Sequence, residues 1–397
     1  MTKPSERLVA HAKGEAIENR KIGILGPYPP FRGGIAHFTE QFHLNLAAHI
    51  TPSSSVGGGV KPEVFGVSFK RQYPSILFPG KSQYSGLGNT GINAATLLDS
   101  INPVSWGRTA EAFIDEGVDE VVFMYWMPFF APAYLRVAQI LQRAGIRVTA
   151  LVHNASPHKR QPFGSALTRI FLSRCDRIIA LSGTVKRDIV SIGVSTNVEV
   201  SKHPVYNQFG DATEPALARK QLGLAEEEPV MLFFGLVRRY KGLDILLKAL
   251  PKTNSKAKLL VAGEWYEDHS ELKRLIEVGN LSDRVICHDK YIPDEEVHSY
   301  FSAADVLIQP YRTATQSGVV QTAFHFGLPS IVSGVGGLPE MIEHENNGLV
   351  VAPEDPDALA NAIDEFYRDS RKERLTLGAK ESRAQYSWEA FVTQFLS

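Results

Sequence analysis

Short apolar runs alternate with amphipathic stretches along most of the chain. Lys21–Leu25 reads as a first strand and Ile35–Ala48 as the helix after it. Further strands are predicted at Glu63–Phe69, Glu120–Trp126, Val148–Asn154 and Arg177–Ser182. The pattern thins at Tyr206–Gly210 and in a polar helix rich in Ala and Glu, then restarts. Pro229–Gly235 reads as a strand, Leu243–Leu250 as a helix, and Lys258–Gly263, Arg284–Asp289, Asp305–Pro310 and Ser330–Ser333 as strands. Apolar strands alternating with helices of about ten to fifteen residues predict βαβ units around parallel sheets. The interruption at 205–228 divides them into two Rossmann-like α/β domains. The length of 397 residues agrees, because a single core rarely grows past roughly 250–300 residues. Thr51–Val60, with its Ser and Gly clusters, predicts a surface loop in the first domain. Ligands of open parallel sheets bind beyond the carboxyl ends of the strands. The informative residues are therefore those that follow each strand, and two such sheets facing each other would enclose a cleft.

Composition narrows the class. A hydrophobic content of 44% and a charged content of 21% are ordinary for a soluble globular protein. The segment 1–20 is polar and lacks the apolar core of a secretory signal. The apolar-rich run Val121–Leu135 is short for a membrane span and contains Pro128 and Pro132. A cytoplasmic location is expected. Cys175 and Cys287 are the only cysteines, too few for a disulfide framework or a cysteine metal site. Net charge is −1, but residues 1–205 hold 22 Lys+Arg against 14 Asp+Glu, a balance of +8, which leaves −9 on the remainder. This asymmetry either steers an anionic partner to the first domain or is ordinary scatter of solvated charge.

The loop after the first strand runs from Gly26 to Ile35 and contains Gly33 and Gly34, where bare backbone precedes a helix. Such amides either approach a phosphate or simply form a strand-to-helix turn. The loop is not Gly-x-Gly-x-x-Gly, which argues against a nicotinamide cofactor. His153 ends the strand Val148–Asn154, as a structural or an orienting residue. Arg238, Arg239 and Lys241 follow Pro229–Gly235, either as a solvated face or as a clamp for a diphosphate. Thr315, Gln316, Ser317 and Gly318 lead into a predicted helix Val320–Phe326, whose first turn would aim amides at an anion. The Gly-rich loop Gly334–Glu340 repeats the arrangement one strand later, with Glu340 as a candidate acceptor for a ligand hydroxyl. The one Asp-x-Asp, Asp355-Pro356-Asp357, opens a predicted helix, so no metal site is expected there.

On these segments the chain resembles glycosyltransferase family 4, of the bacterial group 1 type. The matching stretches are Gly26–Ile35, Leu151–Ser182, Phe233–Leu246 and Ser302–Ala362. The runs Val152-His153-Asn154, Phe234-Gly235 and Tyr240-Lys241-Gly242-Leu243-Asp244 carry the likeness most specifically. The resemblance implies a GT-B fold, two facing Rossmann-like domains with a cleft between them. Residues 1–205 would form the acceptor side and 206–380 the nucleotide-sugar domain. Residues 381–397 would cross back to the first domain. It further implies a retaining, metal-independent transferase with no cofactor, using a nucleoside-diphosphate sugar as co-substrate. The acceptor would be a carbohydrate or a lipid-linked molecule of polysaccharide or glycolipid biosynthesis, and nucleic acid is not an expected partner.

The basic pair of the family maps onto Lys241 and Arg238, with Arg239 the runner-up because Leu236 occupies the usual arginine position. Its cleft histidine maps onto His153 and its glycine loop onto Gly33 and Gly34. Two glutamates usual near the donor are Ala314 and Thr322 here, so Thr322, Gln316, Ser317 and Glu340 inherit the contacts to sugar and ribose. That departure keeps two other readings open: a sugar-nucleotide epimerase or isomerase on the same fold, and a non-catalytic binder of nucleotide sugars. The basic first domain and Pro157-His158-Lys159-Arg160 also suggest peripheral contact with the anionic inner face of a membrane.

Overall fold

The computed structural model describes residues 20–31, 33–50, 64–74, 92–155, 163–205, 209–265, 269–314 and 317–397. The loop 51–60, the basic motif 157–160, and Thr315 and Gln316 lie outside the described residues. The chain forms two compact units, Met1–Lys202 with Trp388–Ser397, and His203–Ser387.

The first unit is built on seven parallel strands: β1 (Ile22–Leu25), β2 (Val64–Arg71), β3 (Ala95–Asp99), β4 (Glu120–Tyr125), β5 (Arg147–Val152), β6 (Arg177–Ala180) and β7 (Val198–Val200), in the order β3-β2-β1-β4-β5-β6-β7. The central strands read IGIL and EVVFMY and are buried at every position, as strands covered by helices on both faces must be. The helix Gly34–Ile50 buries Phe38, Phe42, Leu46 and Ile50, an apolar stripe at every fourth residue. The C-terminal helix Trp388–Leu396 belongs to this unit and covers the same stripe. Phe42 meets Phe391 and Phe395 edge-on at 5.7 and 5.1 Å, and Arg177 Nη1 donates to the Phe395 carbonyl at 2.6 Å.

The second unit holds six parallel strands: β8 (Val230–Phe234), β9 (Lys258–Ala262), β10 (Val285–His288), β11 (Val306–Gln309), β12 (Ser330–Ser333) and β13 (Gly348–Val351), in the order β10-β9-β8-β11-β12-β13. Along β8, Val230 and Leu232 enter one core while Met231 and Phe233 enter the other, the two-residue period of a strand. A buried ionic knot ties the amino ends of these strands. Asp305 accepts from Val230 N at 2.7 Å and pairs with Arg219 Nη2 at 2.9 Å and Lys372 Nζ at 2.6 Å.

Both sheets carry their remaining chemistry on loops at the carboxyl ends of the strands. The predicted helix Val320–Phe326 begins two residues early, at Gly318, because the Ser317 hydroxyl accepts from Val320 N and caps it. Asp355 likewise caps the helix Pro356–Phe366, its Oδ1 accepting from Asp357 N and Ala358 N at 3.0 and 2.9 Å. Asp357 pairs with Lys252 at 2.7 Å. The Asp-Pro-Asp run is thus a helix start.

Candidate functional site

In the second unit the site begins where β8 ends. Gly235 has φ +94°, and a Cβ there would stand 2.9 Å from Lys241 Nζ and 3.7 Å from Val319 Cγ2. The lysine amine therefore lies against bare backbone, beside the first turn of the helix Gly318–His325. Val237 forms a bridge to Trp265, Arg238 is extended, and Arg239–Lys241 make one tight turn. Gly242 follows with φ +72°, where a Cβ would meet the Pro310 carbonyl oxygen at 2.0 Å. Only glycine lets this loop come so close to the loop after β11. The contact places Lys241 next to Tyr311.

Lys241 is 7% exposed, and its Nζ sits 5.7 Å from the centroid of the Tyr311 ring. Among the described residues no carboxylate forms an ion pair with it. Burial, and secondarily the Arg238 charge, bring its pKa down to about 8. Arg238 and Arg239 are exposed. The backbone of the basic loop is pinned by Arg312, which donates to the Arg239 carbonyl at 2.7 Å and forks onto Asp244 with two bonds of 2.8 Å. The loop is therefore held from its neighbour, while the arginine side chains project to solvent.

The loop after β11 contributes Ser317 and Gly318. Ser317 is buried and donates to Gln309 Oε1 at 2.8 Å while capping the helix. Gly318 is exposed at the first helical position. Thr322 is buried, and its hydroxyl donates to the Gly318 carbonyl at 3.0 Å. Ala314 is buried in the core that also contains Tyr311. One strand further on, Glu340 is exposed on the short helix Leu338–Met341, after the loop that starts at Gly334. Because β8, β11 and β12 are adjacent, the loops bearing Arg238 and Lys241, Ser317 and Gly318, and Glu340 follow one another along one sheet edge.

The remaining candidates lie in the first unit. His153 follows β5, its backbone N–H donating to the Tyr125 carbonyl at 2.8 Å. It is 7% exposed, and its ring stands edge-on to Phe38 at 4.7 Å. Phe38 belongs to the helix that Gly34 opens, so the histidine and the glycine loop share one support. Gly33 is exposed at φ +115°, with nothing within 4 Å of where a Cβ would be, and its carbonyl accepts from Ala36 N at 3.1 Å. Among the described residues no three His, Cys, Asp or Glu side chains gather as a metal site. Tyr311 and Gln309 stand beside these candidates although the motifs did not single them out. The signal available for Tyr311 was its place directly after a predicted strand.

Comparisons with known proteins agree on both units. Residues 93–206 match the model for Glycosyltransferase Family 4, and residues 228–369 match that for Glycosyl transferases group 1. A D-inositol 3-phosphate glycosyltransferase of Xylanimonas cellulosilytica is 30% identical over 190 residues, covering 47% of this chain and 45% of that relative. The chain spans about half the length of the curated relatives it matches. HepE of Anabaena, in complex with UDP, is similar with a TM-score of 0.72 at 18% identity, over 94% of this chain and 98% of that one. A sucrose-phosphate synthase from Thermosynechococcus elongatus reaches a TM-score of 0.69 at 20% identity, over 95% and 97%. Likeness at this level of identity speaks to the fold, which is GT-B. With a glycosyltransferase model on each unit and that fold across the chain, the protein belongs to the group 1 glycosyltransferases of family 4.

Proposed function

We propose that this protein transfers a sugar from a nucleoside-diphosphate sugar to a hydroxyl of a carbohydrate or lipid-linked acceptor, with retention and without a metal ion or cofactor. The observation that carries this reading is the buried Lys241 ammonium, without a carboxylate partner among the described residues, at the carboxyl edge of the second sheet. A cation held in that way is short of an anion. As the glycosidic bond breaks, negative charge grows on the departing diphosphate. Lys241, Arg238 and the first amides of the helix Gly318–His325 stabilise that charge, a preorganised electrostatic contribution. HepE is known in complexes with UDP and UDP-glucose, which supports a uridine diphosphate sugar as donor. His153, at the end of β5, orients the sugar or the acceptor. Glu340 reads sugar or ribose hydroxyls.

The test is mass spectrometry of products from purified protein, a panel of UDP-sugars and an acceptor pool that includes lipid extracts. Release of UDP that depends on acceptor, together with a glycosylated product, is the expected result. One observation favours a non-catalytic reading: Ala314 is buried and the Thr322 hydroxyl is engaged with Gly318, so neither supplies a carboxylate. A bound donor that is never transferred, hydrolysed or converted would establish that reading. A donor altered without any acceptor would establish an isomerase.

The same protein is proposed to touch anionic membranes through its first unit. No helix among the described residues is long and apolar enough to cross a membrane. The support is the helix Gly164–Leu172 and its flanks, where Phe163, just before the helix, is 82% and Ile170 51% exposed, with Arg169 and Arg174 also exposed. Exposed apolar residues with cations nearby suit a headgroup layer, and each cation near the surface adds about 1 kcal/mol, screened by salt. Flotation with phosphatidylserine vesicles should show binding at low salt and loss at high salt. No flotation at low salt would remove this part of the reading.

A further inference from the structure

The loop after β11 supplies a residue that neither the motifs nor the family likeness marks. We propose that Tyr311 is a positioning residue for the donor diphosphate, its ring face holding the Lys241 ammonium toward the phosphates where a carboxylate would otherwise stand. This rests on the donor-binding reading of Lys241.

The geometry has three parts. First, the ammonium lies within cation–π reach of the ring, at 5.7 Å from its centroid, and both residues are buried, at 7% and 3% exposure. A buried ammonium with no counter-charge tends to shed its proton. A carboxylate would prevent that, but it would also cancel the charge and repel an incoming diphosphate. An aromatic face favours the cation without neutralising it, so the charge stays available to an anion. Second, the ring cannot swing away. The Tyr240 ring meets it edge-on at 5.8 Å, and the Ser333 hydroxyl donates to the Tyr311 carbonyl. Around the phenol lies the Ser317–Gln309 pair, itself joined at 2.8 Å. Third, the close approach of Gly242 to the Pro310 carbonyl clamps the residue after Lys241 onto the residue before Tyr311. Lysine and ring are thus fixed from the backbone as well as from their side chains.

The ionisation of these groups fits. Arg238 and Tyr240 on the lysine's own loop, and Tyr311 on the facing loop, are the titratable groups next to Lys241 among the described residues. Val319 lies beside it from the helix. Burial pushes the Tyr311 phenol far above its ordinary range, with Tyr240 adding to the effect, so the ring remains neutral. The ammonium remains the one member of the pair whose charge is at stake near neutral pH.

The experiment measures UDP binding by calorimetry for wild type, Tyr311→Phe, Tyr311→Leu and Lys241→Met across neutral to alkaline pH. Tyr311→Phe keeps the ring and should bind UDP within about twofold of wild type. Tyr311→Leu should bind about tenfold more weakly, and its loss of affinity with rising pH should begin at lower pH than in wild type. In the Lys241→Met background, Tyr311→Leu should have no further effect, because the residue acts through the lysine. A folded Tyr311→Leu protein that binds UDP like wild type, or whose alkaline limb does not move, overturns the proposal. If Tyr311→Leu does not fold, Tyr311→pentafluorophenylalanine decides, since it keeps the shape and weakens the ring face. Unchanged affinity there also overturns it. Unchanged UDP affinity in Lys241→Met would instead bring down the donor-site reading itself, a failure distinct from that of Tyr311 alone.

Discussion

Lys241→Met should stabilise the unliganded protein while removing its grip on the diphosphate. The side chain is 7% exposed, and burial brings its pKa from the ordinary 10.5 down to about 8. One pH unit of displacement is worth about 1.4 kcal/mol. Keeping this ammonium charged at neutral pH therefore costs the folded state on the order of 3 kcal/mol. Methionine is unbranched, close in length and apolar, so it fills the same space without that cost. The sign follows from the direction of the displacement. Below about pH 8 the lysine is charged in both folded and unfolded chains, and the cost is fully present. As pH rises from there toward 10.5 the folded protein releases its proton first, and the cost fades. Urea unfolding of wild type and variant without ligand, at a series of pH values, measures the difference directly. The variant should be more stable at neutral pH, with an advantage that shrinks through the alkaline range. Its turnover should fall by about two to three decades, the usual loss for one preorganised charge-stabilising group. A variant less stable than wild type at neutral pH, or a stability difference indifferent to pH, would refute the reasoning.

Gly242→Ala should lower the stability of the second unit by on the order of 3 kcal/mol, because the methyl group meets the Pro310 carbonyl in a left-handed backbone. An unchanged urea midpoint would contradict the close approach. Asp305→Asn should cost about 3–5 kcal/mol by leaving the buried Arg219 without its charge partner. It should leave UDP affinity unchanged, because Asp305 precedes its strand and the proposed donor residues follow theirs. Calorimetry on the folded variant separates the two effects.

The strand–helix alternation was legible because buried parallel strands are written as continuous apolar runs. The strands the pattern did not reveal are β3, β7 and β13, and all three stand at sheet edges. β7 has three residues, with a glutamate in the middle, and β3 is half-exposed over its first three positions. A strand covered on one side need not be apolar throughout, so it leaves a weaker trace. The basic loop was legible for a different reason. Arg238 and Lys241 directly follow a strong strand, and strand ends are where ligands bind in this class of sheet. The partner of Lys241 was not legible. It depends on two loops about seventy residues apart meeting through Gly242 and Pro310, and nothing in local spacing reports such a contact.

The exchange of two family glutamates for Ala314 and Thr322 can be understood in the same terms. Ala314 is drawn into the core with Tyr311, and Thr322 turns its hydroxyl back to the helix that Ser317 caps. Neither position adds negative charge beside the lysine. The groups that do surround it are a phenol kept neutral by burial, a capped helix start and a second cation, Arg238. A carboxylate within a few ångströms would pair with Lys241, raise its pKa and compete with the diphosphate for it. Without one, the proposed arrangement leaves the Tyr311 ring to favour the lysine's charge and the arriving anion to strengthen it. Binding the diphosphate should then raise the lysine's pKa, so the ligand and the proton are taken up together. Proton uptake on UDP binding, read from the dependence of the calorimetric enthalpy on buffer ionisation, should be measurable at mildly alkaline pH and vanish in Lys241→Met.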